Sequence, residues 1–74
     1  MNHWNYRVML VDGEYGIHEV YYNETGPVAH TNAVYPYGET LEEIKFDVER
    51  MLDACKRPIV TYNETLGYSE THSL

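Results

Sequence analysis

GETLEEIKFDVERMLDACK, residues 38–56, is the stretch that decides the fold. Thr40 is placed to act as an N-cap, its hydroxyl accepting from the backbone N–H of Glu43. Glu43 can reach back to the Thr40 N–H, which completes a T-x-x-E capping box. Glu42 and Glu43 put negative charge at the positive end of the helix dipole. Leu41, Ile44, Val48, Met51, Leu52 and Cys55 recur at steps of three and four, which predicts one apolar stripe buried against a sheet. Glu42, Asp47, Glu49, Arg50 and Asp53 fall outside the stripe and are expected in solvent. Lys56 and Arg57 follow at the negative end of the dipole, and Pro58 stops the helix. On this reading Val48→Asp unfolds the domain and Glu49→Ala changes little. The stripe is too short for a coiled coil and too charged for a membrane span.

Upstream of this helix the period changes to two. Asn5 to Asp12 is rich in strand formers, with Tyr6, Val8 and Leu10 on one face and Arg7, Met9 and Val11 on the other. Asp12-Gly13 is a turn signal. Gly16 to Asn23 reads as a second, antiparallel strand that puts His18, Val20 and Tyr22 on one face and Ile17, Glu19 and Tyr21 on the other. Asn23-Glu24-Thr25-Gly26 is the next turn, and Pro27 to Val34 a weaker third strand. Tyr35-Pro36-Tyr37-Gly38 crosses to the helix, and Pro58 to Tyr62 has the composition of a short final strand. The expected architecture is α+β: an antiparallel sheet of three to four strands with one helix on one face, in the order β-β-β-α-β, over residues 1–62. Residues 63–74 are polar with little to bury, and are expected to form a disordered tail whose removal is tolerated.

With 74 residues the chain is one domain with a small core. A single cysteine allows no internal disulfide and no cysteine-rich zinc site. Cys55 itself reads as a small buried hydrophobe. Self-association is then the expected extra source of stability, and the two apolar faces of the first strand point to a homodimer. The net charge of −7, with five scattered basic residues, argues against nucleic acid and against an anionic membrane surface. The first ten residues lack a basic region followed by an apolar core, so the cytoplasm is the expected compartment. Eight tyrosines stand against one Phe and one Trp. Tyrosine serves both half-buried strands and contact surfaces. Tyr6, Val8, Tyr21, Tyr22, Tyr35 and Tyr37 are the candidate partner surface.

Nothing in the sequence specifies catalysis. His3, His18, His30 and His72 show no metal-ligand spacing, although His18 and His30 fall on neighbouring strands. Asp12, Glu14, Glu19 and Asp47 invite comparison with a two-metal nuclease cluster, but Asp12 and Glu14 sit in a turn and no basic substrate track accompanies them. No histidine is placed beside Cys55 for nucleophilic work, and no phosphate loop occurs. No cofactor or metal is expected. Asn23-Glu24-Thr25 and Asn63-Glu64-Thr65 match a glycosylation acceptor, but read as turn and tail chemistry.

Gly38-Glu39-Thr40-Leu41-Glu42-Glu43-Ile44, following three strands, resembles the G-x-T-x-E-E-A segment that opens the helix of HicB-like antitoxins. Their fold is a reduced relative of RNase H, and the likeness spans about residues 5 to 62. NYRVML, GIHEVYYN and YPYGETLEEIK are also similar to segments of small bacterial proteins of no assigned activity. VAHTNAVYPYG lacks the P-x-x-P-G-C-type segment usual in that fold, and residues 57–74 are not expected to form the DNA-binding domain that many members carry after the helix. The resemblance therefore implies binding of a toxin or another protein, not of an operator. The functional expectation is a non-catalytic protein-binding module. The alternative is a small ligand-binding protein or enzyme with a site near Trp4, His18, His30 and Tyr35–Tyr37.

Overall fold

A computed structural model describes residues 3–71. The elements run β1 (His3–Val11), β2 (Glu14–Asn23), β3 (Gly26–His30), α1 (Leu41–Ala54), β4 (Ile59–Asn63) and β5 (Gly67–Thr71). The fold is α+β, as the change of period implies. It differs from the expected sheet in two ways. Among the described residues there are five strands, in the order β3-β2-β1-β4-β5, and the sheet is mixed, because β4 pairs parallel with β1 through Met9–Val60 and Leu10–Thr61. The helix and its flanks carry the chain from β3 to the far side of β1, where a parallel neighbour fits.

Two turns explain the hairpins. Asp12 and Gly13 both have positive φ, 52° and 81°, the conformation that a two-residue hairpin with right-handed strand twist requires. Between β2 and β3, the Asn23 carboxamide oxygen accepts from the Thr25 N–H at 2.8 Å and from the Thr25 hydroxyl at 2.7 Å. The same chemistry recurs between β4 and β5. There Asn63 Oδ1 accepts from the Thr65 N–H at 2.8 Å and the Leu66 N–H at 3.1 Å. Asn63 therefore opens a hairpin, and β5 pairs with β4 from Ile59–Thr71 to Asn63–Gly67. This corrects the expectation of a disordered tail from residue 63; residues 72–74 of that segment, with His72, lie outside the described residues. β3 is shorter than expected, although backbone bonds from Thr31 N to Glu19 O and Val34 N to Ile17 O prolong the pairing.

The core lies on the face away from the helix. Met9, Val20 and Val60 are 0 % exposed and pack with Tyr22. Val11, Tyr62 and Tyr68 close around them. The sheet curls enough to bring its two edge strands together, and His30 on β3 meets the Tyr68 hydroxyl on β5 at 2.7 Å. A curled sheet fills its concave side with its own side chains. The second apolar face of the first strand, one of the two on which the expected homodimer rested, is thus filled from within.

The helix starts and stops where the sequence signals place it. Thr40 Oγ1 accepts from the Glu43 N–H at 3.1 Å, while Glu43 Oε1 reaches one residue further back than the capping box implies, to the Glu39 N–H at 2.8 Å. Gly38 is required here, because an added Cβ would lie 2.7 Å from the Glu43 Cβ and closer still to the Ile44 backbone. The helix ends at Ala54 with Cys55 as C-cap, so Lys56 and Arg57 lie just beyond it.

The buried face of α1 is rotated from the expected stripe. Only Met51 and Ala54 are fully buried on the helix, and Ile44 is half-buried. Val48 is 46 % exposed, Leu52 60 % and Leu41 65 %; Cys55 is exposed too. Asp47, expected in solvent, turns inward instead: the Tyr6 hydroxyl donates to its Oδ1 at 2.6 Å and the Tyr37 N–H to its Oδ2 at 3.0 Å. With these two donors the inward carboxylate is satisfied, so this side of the helix can turn toward the sheet without leaving a charge unpaired. Val48→Asp is therefore expected to leave the fold intact and Met51→Asp to unfold it, since only the latter buries an unpaired carboxylate. Thermal melts by circular dichroism of the two variants check this. Equal melting temperatures would show that the helix is seated differently.

Candidate functional site

The strand alternation sorts the candidate residues onto two faces. On the helix-bearing face β1 presents Trp4, Tyr6, Val8 and Leu10, opposite Tyr21, Glu19, Ile17 and Tyr15 of β2. Arg50 of α1 lies over the rings of Tyr6 (4.8 Å) and Trp4 (4.9 Å), with Phe46 at 5.7 Å. Cation–π contacts of this kind hold a guanidinium against the sheet in place of an aliphatic side chain. Burial, then the hydrogen bond to Asp47, pushes the Tyr6 phenol up to about 12. Hydrogen bonding to the Glu19 carboxylate, at 2.6 Å, raises that of Tyr21. Both phenols therefore stay protonated as donors at neutral pH.

The six tyrosine and valine positions do not form one surface. Tyr6, Val8 and Tyr21 share the helix-bearing face. Tyr35 and Tyr37 are exposed beside the helix, at 76 % and 65 %. Tyr22 points to the concave side, where it is buried, stacks on His3 at 4.7 Å and donates to Asn5 Oδ1 at 2.8 Å. The residues that sequence reasoning missed are on the helix. Leu41, Phe46, Val48 and Leu52 are all exposed. A shallow cleft of about 400 Å³ runs between α1 and the chain before it, lined by Val34, Tyr35, Pro36, Val48, Leu52 and Cys55 among others. The signal was present in the stripe, whose apolar residues outnumber what one helix seated on a single strand can bury.

The concave side brings His18 and His30 together, with ring centroids 5.8 Å apart. Trp4 is on the opposite face, and Tyr35 and Tyr37 flank the helix, so the alternative site does not converge. His18 is buried, and its Nδ1–H donates to the Thr31 carbonyl at 2.8 Å. His30 packs against Tyr62 and Tyr68, with centroids at 4.9 and 5.6 Å. Desolvation, and then the charge of His18, lowers the His30 pKa, while desolvation and Tyr62 raise that of Tyr68. The pair is thus a neutral imidazole against a neutral phenol. A cleft of about 600 Å³ opens beside it, lined by His30, Tyr62, Asp12 and Glu64 among others. Asp12, Glu14, Glu19 and Asp47 do not converge. Among the described residues no three His, Cys, Asp or Glu side chains are grouped to hold a metal ion.

The depressed His30 pKa sets a direction for stability with pH. The unfolded chain takes up the proton first, below about 6.5. The contribution is present above that value and is lost as pH falls through the lower folded value. Urea midpoints of the wild-type chain are expected to drop between pH about 7.5 and about 5.5, and His30→Gln is expected to flatten the drop. An unchanged slope in the variant would remove His30 as its origin.

No protein-family model, curated protein or solved structure matches the chain. Among the described residues, no helix is long and apolar enough to cross a membrane.

Proposed function

We propose that this chain is a non-catalytic protein-binding module, antitoxin-like in the sense of the HicB resemblance, that binds a second copy of itself or a toxin-like partner in the cytoplasm. The observation that carries the reading is the exposed apolar row of α1, Leu41, Val48 and Leu52, continued by Tyr35. A patch of this kind on so small a surface is the usual mark of a contact with another protein. The order of three strands, helix and strand supports the resemblance. The basic residues support the exclusion of nucleic acid. Arg7 is buried, Arg50 lies on aromatic rings and Arg57 pairs with Asp53 at 3.1 Å, which leaves little to meet phosphates.

Sedimentation at micromolar concentration tests the proposal, together with co-purification with the product of the adjacent gene. The wild-type chain is expected to associate, and Leu52→Asp to abolish association while melting like the wild type at high dilution. A wild-type chain that binds neither itself nor that product would overturn the reading.

A further inference from the structure

The apolar row on α1 is symmetric about its own centre. Leu41 and Ile44 precede Val48 by seven and four residues; Leu52 and Cys55 follow it by four and seven. At about 100° per residue these five side chains lie within roughly 40° of the Val48 direction. Leu41, Val48, Leu52 and Cys55 are exposed, and Ile44 is half-buried. A two-fold axis perpendicular to the helix and passing beside Val48 therefore maps the row onto itself. It sets Val48 against the partner's Val48, Ile44 against the partner's Leu52 and Leu41 against the partner's Cys55.

The charges along one border of the row obey the same operation. Lys45 and Glu49 flank Val48 on the side away from the sheet, with Glu42 and Lys56 further out. The two-fold brings Lys45 beside the partner's Glu49 and Lys56 beside the partner's Glu42. In a parallel pair, related by an axis along the helices, this border would instead face the partner's opposite, sheet-side border, and the Lys45–Glu49 and Lys56–Glu42 pairs would not form. Isologous contacts require a self-complementary patch, and this row is self-complementary in both shape and charge only when antiparallel.

We propose that the exposed face of α1 takes a second copy of the chain, helix against antiparallel helix, on a two-fold axis at Val48. This rests on the protein-binding reading above and names its occupant. Neighbouring helices in such a pair stand about 8–10 Å apart, and small central side chains such as valine favour the close end of that range.

Cysteine cross-linking under mild oxidation tests the arrangement. Three proteins are compared on non-reducing gels: Val48→Cys in a Cys55→Ser background, Leu41→Cys with Cys55 kept, and the wild type. The first two are expected to form covalent dimers. The wild type is expected to form little, because its two Cys55 residues would stand about 21 Å apart along the helix axes, whereas a disulfide needs Cα atoms within about 7 Å. Lys45→Glu is expected to weaken association at least several-fold, and adding Glu49→Lys to restore it, a recovery that a merely structural role would not give. The substituted side chains lie at exposed positions, and melting curves confirm that each variant folds. A wild-type cross-link as strong as that of Val48→Cys would overturn the antiparallel arrangement in favour of a parallel one, in which Val48 and Cys55 each face their own copies. A dimer in sedimentation with no cross-link in either variant would place the contact elsewhere and leave the binding reading standing. A chain that stays monomeric would overturn the second copy as occupant; binding of the adjacent gene's product then decides whether the binding reading survives.

Discussion

Deletion of residues 64–74 is expected to unfold the domain. The segment holds β5, and with it go Tyr68, which packs on Tyr62 and His30, and Glu70, which pairs with Arg7 at 2.9 Å. Val60, now 0 % exposed, would lose its cover on one side. Burying one large aromatic side chain contributes about 1.5–3 kcal/mol, and a single core of this size supplies only about 3–5 kcal/mol in all. Far-UV circular dichroism of the truncated chain is expected to show loss of the cooperative melt. A truncation that melts within a few degrees of the full chain would mean that β5 adds nothing to the core. Hydrogen exchange supplies the matching signature in the intact chain, with slow amides along the β4–β5 ladder.

The second large effect is expected at Arg7. This side chain lies on the concave side of β1 and is 5 % exposed. Its Nη1 donates to the Tyr22 hydroxyl at 3.0 Å and pairs with Glu70, and its Nη2 donates to the Pro58 carbonyl. One guanidinium thus ties β1 to β2, to the chain entering β4 and to β5. Arg7→Ala would leave a cavity and strand the Pro58 carbonyl, at an expected cost of about 3 kcal/mol or more. Glu70→Gln, at a half-exposed carboxylate, is expected to cost less than about 1 kcal/mol. Arg7→Met keeps most of the volume without a buried charge and is expected to fall between them. Urea denaturation of the three variants gives the order, and an Arg7→Ala cost no larger than that of Glu70→Gln would sink the argument.

Much of the fold was legible in the residues. The Thr40 N-cap, the stop at Pro58 and the Asp12-Gly13 turn are local chemistry, and they stand in the fold as the residues imply. The strand pattern of β2 and β3 placed His18 and His30 on neighbouring strands. What was not legible depends on partners distant in sequence. A periodic stripe says which helix face is apolar, not which face is buried, and here Asp47 and Arg50 face the sheet because Tyr6, Trp4 and the Tyr37 N–H receive them. Gly67–Thr71 has almost nothing apolar except Tyr68, so its composition reads as solvent-exposed chain. The usable signal was the repetition of Asn-Glu-Thr with a glycine just after it, first at 23–26 and again at 63–67, because the same side-chain-to-backbone bonds close both turns. The apolar helix row was visible from the start, but its exposure followed only once Met51 and Ala54 were seen to seat the helix without it.

The position of β1 at the centre of the sheet also governs how the molecule is assembled in time. One of its neighbours, β2, is two residues away through a tight turn and can pair within microseconds. Its other flank waits for a segment some fifty residues later, as the 51-residue separation between Arg7 and Pro58 records. Closing so long a loop is the slow entropic step of such a topology. Until it closes, one edge of β1 and the side chains of Met9 and Val20 are open to solvent, and an unpaired apolar strand is what neighbouring unfolded chains capture. Refolding yield should therefore fall as protein concentration rises, because the β4–β5 hairpin must reach its place before another molecule does.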